Sequence, residues 1–324
     1  MTAPLQDAQG RGIRYLRLSV TDRCNFRCVY CSPSEWSGRA DLLNAAELER
    51  LTRIFAALGV VRVRLTGGEP TARKDLVEIT ERLARVPGIS ELCLTTNGVR
   101  LPELAGPLYD AGLRRLNVSL DTVDAAAFRL LSGERGEAAD VIAGIVAARV
   151  AGFSDLVVNA VVLAGVNDKP SQLAALVETA WQLGATPRFI ELMPFSGGTL
   201  VPTDVVLARL ALAGIELQPE VDKTSTPPRG PSVYYQHNRG SVGFISPITK
   251  NFCGGCNRVR VAANGDLRAC LGGREQVPLR TMLRDGASDG AIAVAIRAAL
   301  MLKLERHDMD APRGRLLPMM GIGG

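Results

Sequence analysis

From Arg14 to about Arg209 the chain alternates short apolar strands with helices, and this rhythm constrains the fold more than any other feature. RYLRLSV (14–20), VRVRLT (61–66), ELCLTTNG (91–98), RRLNVSLD (114–121), DLVVNAVVL (155–163) and PRFIELMP (187–194) read as strands. AAELERLTRIFAAL (45–58) has the apolar spacing of a helix. Helices are also expected over 75–86, 101–112 (closed by Gly112), 124–131, 137–151 and 171–184. Strand–helix repetition with right-handed crossovers builds a parallel sheet. Six units are fewer than the eight of a closed barrel. The expected fold is therefore α/β: a partial (β/α)6 TIM-like barrel with an open side.

In such units the chemistry gathers at the C-terminal ends of the strands. A cysteine loop follows the first strand, GGEP the second, TTNG the third, SLD the fourth and MP the sixth. Beyond about residue 215 the rhythm changes. TSTPPRGPSVYY (224–235) reads as a linker or loop, SVGFIS (241–246) as a strand, and about 288–304 as a helix before a Pro- and Gly-rich tail. Two domains are expected, 1–215 and 216–324, the second an α+β region lying across the open side of the first.

The composition excludes some classes. The chain has 324 residues, 47% hydrophobic, with a net charge of +5. A nucleic-acid binder would show a clustered basic excess, so no such partner is expected. No apolar run approaches the roughly 20 residues that span a bilayer, and the N-terminus lacks the apolar core of a signal peptide. A cytoplasmic protein with no membrane partner is the expectation, and there seven cysteines read as metal or catalytic ligands before disulfides.

Cys24, Cys28 and Cys31 form CxxxCxxC in one loop. Three thiolates so placed can converge on one iron–sulfur cluster, leaving one iron open to a small molecule. A zinc knuckle or buried thiols are the alternatives, but zinc wants a fourth ligand, and the two histidines, His237 and His307, lie far along the chain. Cys253, Cys256 and Cys270 form a second set of three, for which zinc completed by one of those histidines is the alternative. Cys93, within a strand, reads as structural. In GGEP, Gly67 and Gly68 allow backbone amides to approach a ligand, and Glu69 offers an acceptor for an ammonium group; the segment also serves as a plain strand-to-helix turn.

CxxxCxYC after the first strand and GGEP after the second resemble the radical S-adenosylmethionine (SAM) superfamily. FCxxCNRxRxxxxGxLxxCL, RLSVTDRCNFRCxYC and the terminal Gly-Gly resemble, more narrowly, the GTP 3′,8-cyclase family of molybdenum cofactor biosynthesis, from about Arg14 to Gly324. The resemblance implies two [4Fe–4S] clusters and SAM as cofactors. It implies a lyase that converts GTP to (8S)-3′,8-cyclo-7,8-dihydroguanosine 5′-triphosphate, after SAM cleavage to a 5′-deoxyadenosyl radical on the cluster of Cys24, Cys28 and Cys31. Tyr30, Gly67, Gly68, Glu69, Pro70, Ser119 and Met193 are carried over as SAM contacts. Arg17, Arg64, Thr95, Arg258 and Arg260 are carried over as GTP contacts, with the second cluster anchoring the purine and the tail glycines Gly323 and Gly324 entering the active site. The implied partners are an unidentified electron donor and a downstream cyclic pyranopterin monophosphate synthase. A homodimer is compatible with the family, although no interface signature is visible.

Two departures stand out. Ser32 replaces the usual Met in YCSP. Val157 occupies the position of a phosphate-contacting Lys, Ala164 that of a second common Lys, and no lysine lies between residues 75 and 168. The loss of one charge-assisted contact is worth roughly 1.5–3 kcal/mol, so weaker phosphate binding is expected. Two rival functions follow: a radical SAM enzyme of the same build acting on another nucleotide or a peptide, and a non-enzymatic iron–sulfur or zinc protein that binds nucleotides. The first would need more auxiliary cysteines if it acted on a peptide; the second leaves GGEP unexplained.

Overall fold

The computed structural model describes residues 4–31, 41–195, 197–220, 230–307 and 309. Ser32 and the tail glycines Gly323 and Gly324 lie outside them. The expected units follow in order: β1 (Tyr15–Thr21), α1 (Ala45–Ala57), β2 (Arg62–Gly67), α2 (Leu76–Ala84), β3 (Glu91–Thr96), α3 (Leu101–Asp110), β4 (Arg115–Ser119), α4 (Ala125–Ser132), α5 (Ala138–Val150), β5 (Asp155–Val162), α6 (Pro170–Gln182), β6 (Thr186–Glu191) and α7 (Thr203–Leu212). The C-terminal part adds β7 (Gln218–Pro219), β8 (Val233–His237), β9 (Gly240–Ile245), β10 (Arg258–Val261), β11 (Asp266–Arg268), β12 (Val277–Pro278), α8 (Leu279–Arg284) and α9 (Asp289–Met301).

Strands β1 to β6 pair in parallel and in chain order, as the crossover rule requires. The C-terminal strands extend this sheet at both edges. β10 joins β1 in parallel, and β9 joins β6 in parallel. The chain between β9 and β10 therefore passes from one edge of the partial barrel to the other, and it carries Cys253 and Cys256.

Local chemistry explains the elements. Asn44 caps α1 through its Oδ1, which accepts from Glu47 N at 2.9 Å, while Glu47 Oε2 accepts from Asn44 N at 2.8 Å. Leu48, Leu51 and Phe55 then form its buried stripe. Strands alternate strictly. On β1, Leu16, Leu18 and Val20 are buried in the core beneath the helices, which leaves Arg17 and Ser19 on the inner face. The same parity places Arg64, Thr95, Asn117, Asn159 and Arg188 inward. The barrel interior thus carries arginines and asparagines among apolar residues such as Val157, Val161 and Ile190, where a plain core would be wholly apolar.

One expectation is corrected. The segment 224–235 is not all loop, because Val233–His237 forms β8, paired antiparallel with β9. The Pro and Gly residues upstream dominate the local composition, but VYYQH has strand-forming residues and a hairpin partner. Among the described residues no helix is long and apolar enough to cross a membrane.

Candidate active site

Both cysteine trios line one cavity of about 350 Å³ at the C-terminal ends of the strands. Residues 230 positions apart in the chain share its wall because β10 sits beside β1.

The first cysteine loop is fastened at three places. Arg27 N and Val29 N donate to the carbonyls of Ser132 and Leu131 at the end of α4, at 3.0 and 3.1 Å. Gly68 N and Glu69 N donate to the carbonyls of Thr21 and Arg23, both at 2.7 Å. A Cβ on Gly67 would collide with the Thr21 carbonyl, and one on Gly68 with that of Arg23. The glycines therefore do more than admit a ligand: they let the GGEP backbone lie directly against the start of the cysteine loop. Third, Tyr30 Oη donates to Asp121 Oδ2 at 2.7 Å, and Asp121 Oδ1 accepts from Val161 N at 2.8 Å. Burial pushes the Asp121 carboxyl up to about 6, against these hydrogen bonds. Burial likewise raises the Cys24 thiol to about 11 and Cys28 well above its usual range.

Glu69 is not a free acceptor. It is 2% exposed, and its carboxylate accepts from Thr71 N (2.9 Å), Thr71 Oγ1 (2.7 Å), Thr96 Oγ1 (2.6 Å) and Asn97 N (2.6 Å). It ties β2's turn to β3's end while one edge still faces the cavity. Pro70 opens the short turn that follows and is buried. Ser119 and Met193 both line the cavity, as does Thr95.

The arginines divide. Arg17, Arg258 and Arg260 line the cavity together. Arg17 and Arg260 are register partners across the β1–β10 seam. Withdrawal from water, then Arg260, hold the Arg17 guanidinium well below its ordinary value, and its Nε is enclosed with no hydrogen-bond partner among the described residues. Withdrawal from water, then Arg258, lower Arg260 to about 10. Arg64 is not itself part of the cavity lining but adjoins it through Thr95. It is buried, its Nε donating to Tyr15 Oη at 2.5 Å and its Nη1 to Leu94 O and Thr95 Oγ1 at 3.3 Å. The Tyr15 hydroxyl captures it because Tyr15 and Arg64 sit on neighbouring strands.

Sequence reasoning overlooked Arg188. It is buried on β6, faces the cavity, and its Nε donates to Asn159 Oδ1 at 2.9 Å. Its place inside the R-F-I-E alternation was the available signal. Asp121 and Lys303 were also missed as wall residues. Val157 is buried on β5 in register with Asn117 and Thr186, below the cavity-lining Asn159.

Around the second trio, His307 Nε2 lies 2.8 Å from the Pro247 carbonyl and 3.0 Å from Asn251 Nδ2. His237 stacks on Trp181 with ring centroids 5.1 Å apart. His237 does not line the cavity, and His307, which does, already has the Pro247 carbonyl and Asn251 as partners, which weighs against the zinc alternative. Burial opposes the Cys256 thiolate, but Lys303 and then Arg258 outweigh it and lower its pKa. All seven cysteines are free of disulfides. Two thiol trios without a histidine or carboxylate among them suit iron–sulfur clusters with an open iron. The enclosed, unpartnered Arg17 Nε suits an anion.

The comparisons agree with this chemistry. Residues 18–177 match the radical SAM superfamily, and residues 185–309 match the molybdenum cofactor synthesis C family. The chain is 44% identical to GTP 3′,8-cyclase 1 of Pseudomonas aeruginosa, over 98% of each chain. It is 42% identical to GTP 3′,8-cyclase of Erythrobacter litoralis, over 96% of this chain and 94% of the relative. It is 38% identical to the Moorella thermoacetica GTP 3′,8-cyclase, over 99% and 100%. Among solved structures, the [FeFe]-hydrogenase maturase HydG superposes with a TM-score of 0.51 at 17% identity, covering 61% of this chain and 48% of HydG. That last likeness concerns the fold alone.

Proposed function

The chain belongs to the GTP 3′,8-cyclase family of the radical SAM superfamily, and from that premise we propose how its residues divide the work. The enzyme is a radical SAM lyase of molybdenum cofactor biosynthesis, with two [4Fe–4S] clusters, that converts GTP to its 3′,8-cyclised triphosphate. We assign Cys24, Cys28 and Cys31 to the SAM-cleaving cluster and Cys253, Cys256 and Cys270 to the cluster that anchors guanine. When bound, the first cluster and SAM supply the radical that removes a hydrogen from the ribose.

The protein's own part is to bind, orient and exclude water. Tyr30, held by Asp121, and the Gly67–Gly68–Glu69–Pro70 turn position SAM together with Ser119 and Met193. Arg17, Arg258 and Arg260 hold the triphosphate, and Arg188 joins them from the opposite edge of the cavity. Guanidinium groups match phosphate oxygens in fork geometry. Clustered cations withdrawn from water repel one another, so an arriving anion relieves that repulsion as it binds. Arg64 acts at one remove, by orienting Thr95. Gly323 and Gly324, which lie outside the described residues, keep the part in cyclisation that the family likeness implies. The observation that carries this reading is the cavity wall shared by both thiol trios and the three arginines. Residues 1–215 would form the SAM-cleaving unit and 216–324 the substrate-anchoring one.

The same reading extends to a cytoplasmic setting, an external electron donor, a downstream cyclic pyranopterin monophosphate synthase and a homodimer, the last testable by solution mass. The deciding experiment is anaerobic turnover of the reconstituted enzyme with SAM, a strong reductant and GTP, following 5′-deoxyadenosine and the cyclised nucleotide, with ATP as control. Both products with GTP alone support the assignment. SAM cleavage without a nucleotide product would mean a different substrate.

A further inference from the structure

Lys303 follows the last turn of α9 and is 4% exposed. Its Nζ donates to the Arg258 carbonyl at 2.8 Å and the Ala269 carbonyl at 2.5 Å. Arg258 stands two residues beyond Cys256, and Ala269 immediately precedes Cys270. One side chain therefore ties together the two arms that carry the second cysteine set, arms that arrive from separate strands. Lys303 also lines the cavity beside Cys253, Cys256 and Cys270. A lysine ammonium has three donors, and these two carbonyls take two of them.

We propose that Lys303 is a positioning residue for the second cluster, which locks the two cysteine arms to each other and supplies the cation that makes that cluster easier to reduce. Adding an electron makes a thiolate-bound cluster more negative, and cluster potentials respond to nearby charge and hydrogen bonding. A cation withdrawn from solvent acts strongly at such a site.

The inference rests on the assignment of Cys253, Cys256 and Cys270 as cluster ligands, so the test separates the two. The full-length chain with Cys24, Cys28 and Cys31 replaced by Ala would be reconstituted anaerobically, so that only the second cluster can form. Iron content and an EPR-monitored redox titration would then be compared for Lys303 and for Lys303→Met, Lys303→Gln and Lys303→Arg. Gln can still donate to a backbone carbonyl without carrying a charge, which keeps the test usable if Met loses the cluster. The expected result is that Met or Gln lowers the reduced-to-oxidised ratio at fixed potential about tenfold, about 59 mV for one electron, while Arg titrates close to the parent. Met or Gln titrating with the parent, or Arg shifting as far as they do, would overturn the proposal. Failure of the parent, with Lys303 intact, to hold any cluster would overturn the ligand assignment and this inference with it.

Discussion

Arg17 on β1 lies directly opposite Arg260 on β10, in the parallel seam where the C-terminal region meets the first strand of the barrel. Two like charges in register on adjacent strands are unfavourable by themselves. Both line the cavity, and under the proposed function a polyanion bound there would offset their repulsion.

Replacing Arg260 by Ala removes one charge-assisted contact worth roughly 1.5–3 kcal/mol. GTP should bind about ten- to a hundredfold more weakly in equilibrium dialysis, while SAM affinity stays unchanged. Undiminished GTP affinity would sink the phosphate role.

Arg188 carries a second, independent test. Arg188→Met keeps the apolar stem and removes the guanidinium that Asn159 orients. GTP affinity should fall about tenfold, and the dependence of binding on salt should become shallower, because one cation fewer meets the phosphates. A variant with parental salt dependence would show that Arg188 serves only the barrel wall.

Val157→Lys would restore a cation at the departure noted in the sequence. The site is buried, and charges there are penalised by desolvation. The ligand-free protein should melt lower, by an amount on the order of 1–3 kcal/mol, and saturating GTP should recover much of the loss. Equal destabilisation with and without GTP would mean that position 157 does not sense the phosphates.

Asp121 makes stability depend on pH. Its folded value of about 6 lies above the ordinary unfolded value of about 3.9. The folded state therefore binds the proton more tightly, and this contribution is fully present below about pH 4 and lost as pH rises towards 6. The effect is on the order of 2 kcal/mol. Thermal melts of the cluster-free chain between pH 4 and 6 should show a smaller fall with pH in Asp121→Asn than in the parent.

Gly68→Ala should disturb the first cluster and spare the second. Its methyl would strike the Arg23 carbonyl, and overpacking of this kind costs about 1–3 kcal/mol. Iron analysis and EPR of the reconstituted variant should show loss of the Cys24–Cys28–Cys31 signal with the other retained. Intact signals from both would show that the loop tolerates the displacement.

Much of the site was legible in the sequence because its chemistry is local. Three thiols on one cluster must be close in the chain, and the turn that receives the cysteine loop needs residues without Cβ, so CxxxCxYC and GG-E-P are short and recognisable. Arg258 and Arg260 were legible through the CNRxR stretch that carries the family resemblance. Arg188 was hidden because an arginine within a strand acquires meaning only from the residues across from it. The bond from Arg64 Nε to the Tyr15 hydroxyl on the neighbouring strand was hidden for the same reason. Residues 233–235 were hidden by the Pro-rich composition before them, until a hairpin partner made them a strand.

By itself the sequence determined the six strand–helix units and the two thiol trios, because each follows from hydrogen bonding and spacing within a few residues. Only the tertiary structure decided that β9 and β10 flank the barrel's two edges, that Arg260 meets Arg17, and that Lys303 joins Arg258 to Ala269. Those pairings depend on which sheet edges remain unpaired once the barrel has formed, and no local pattern of residues encodes that.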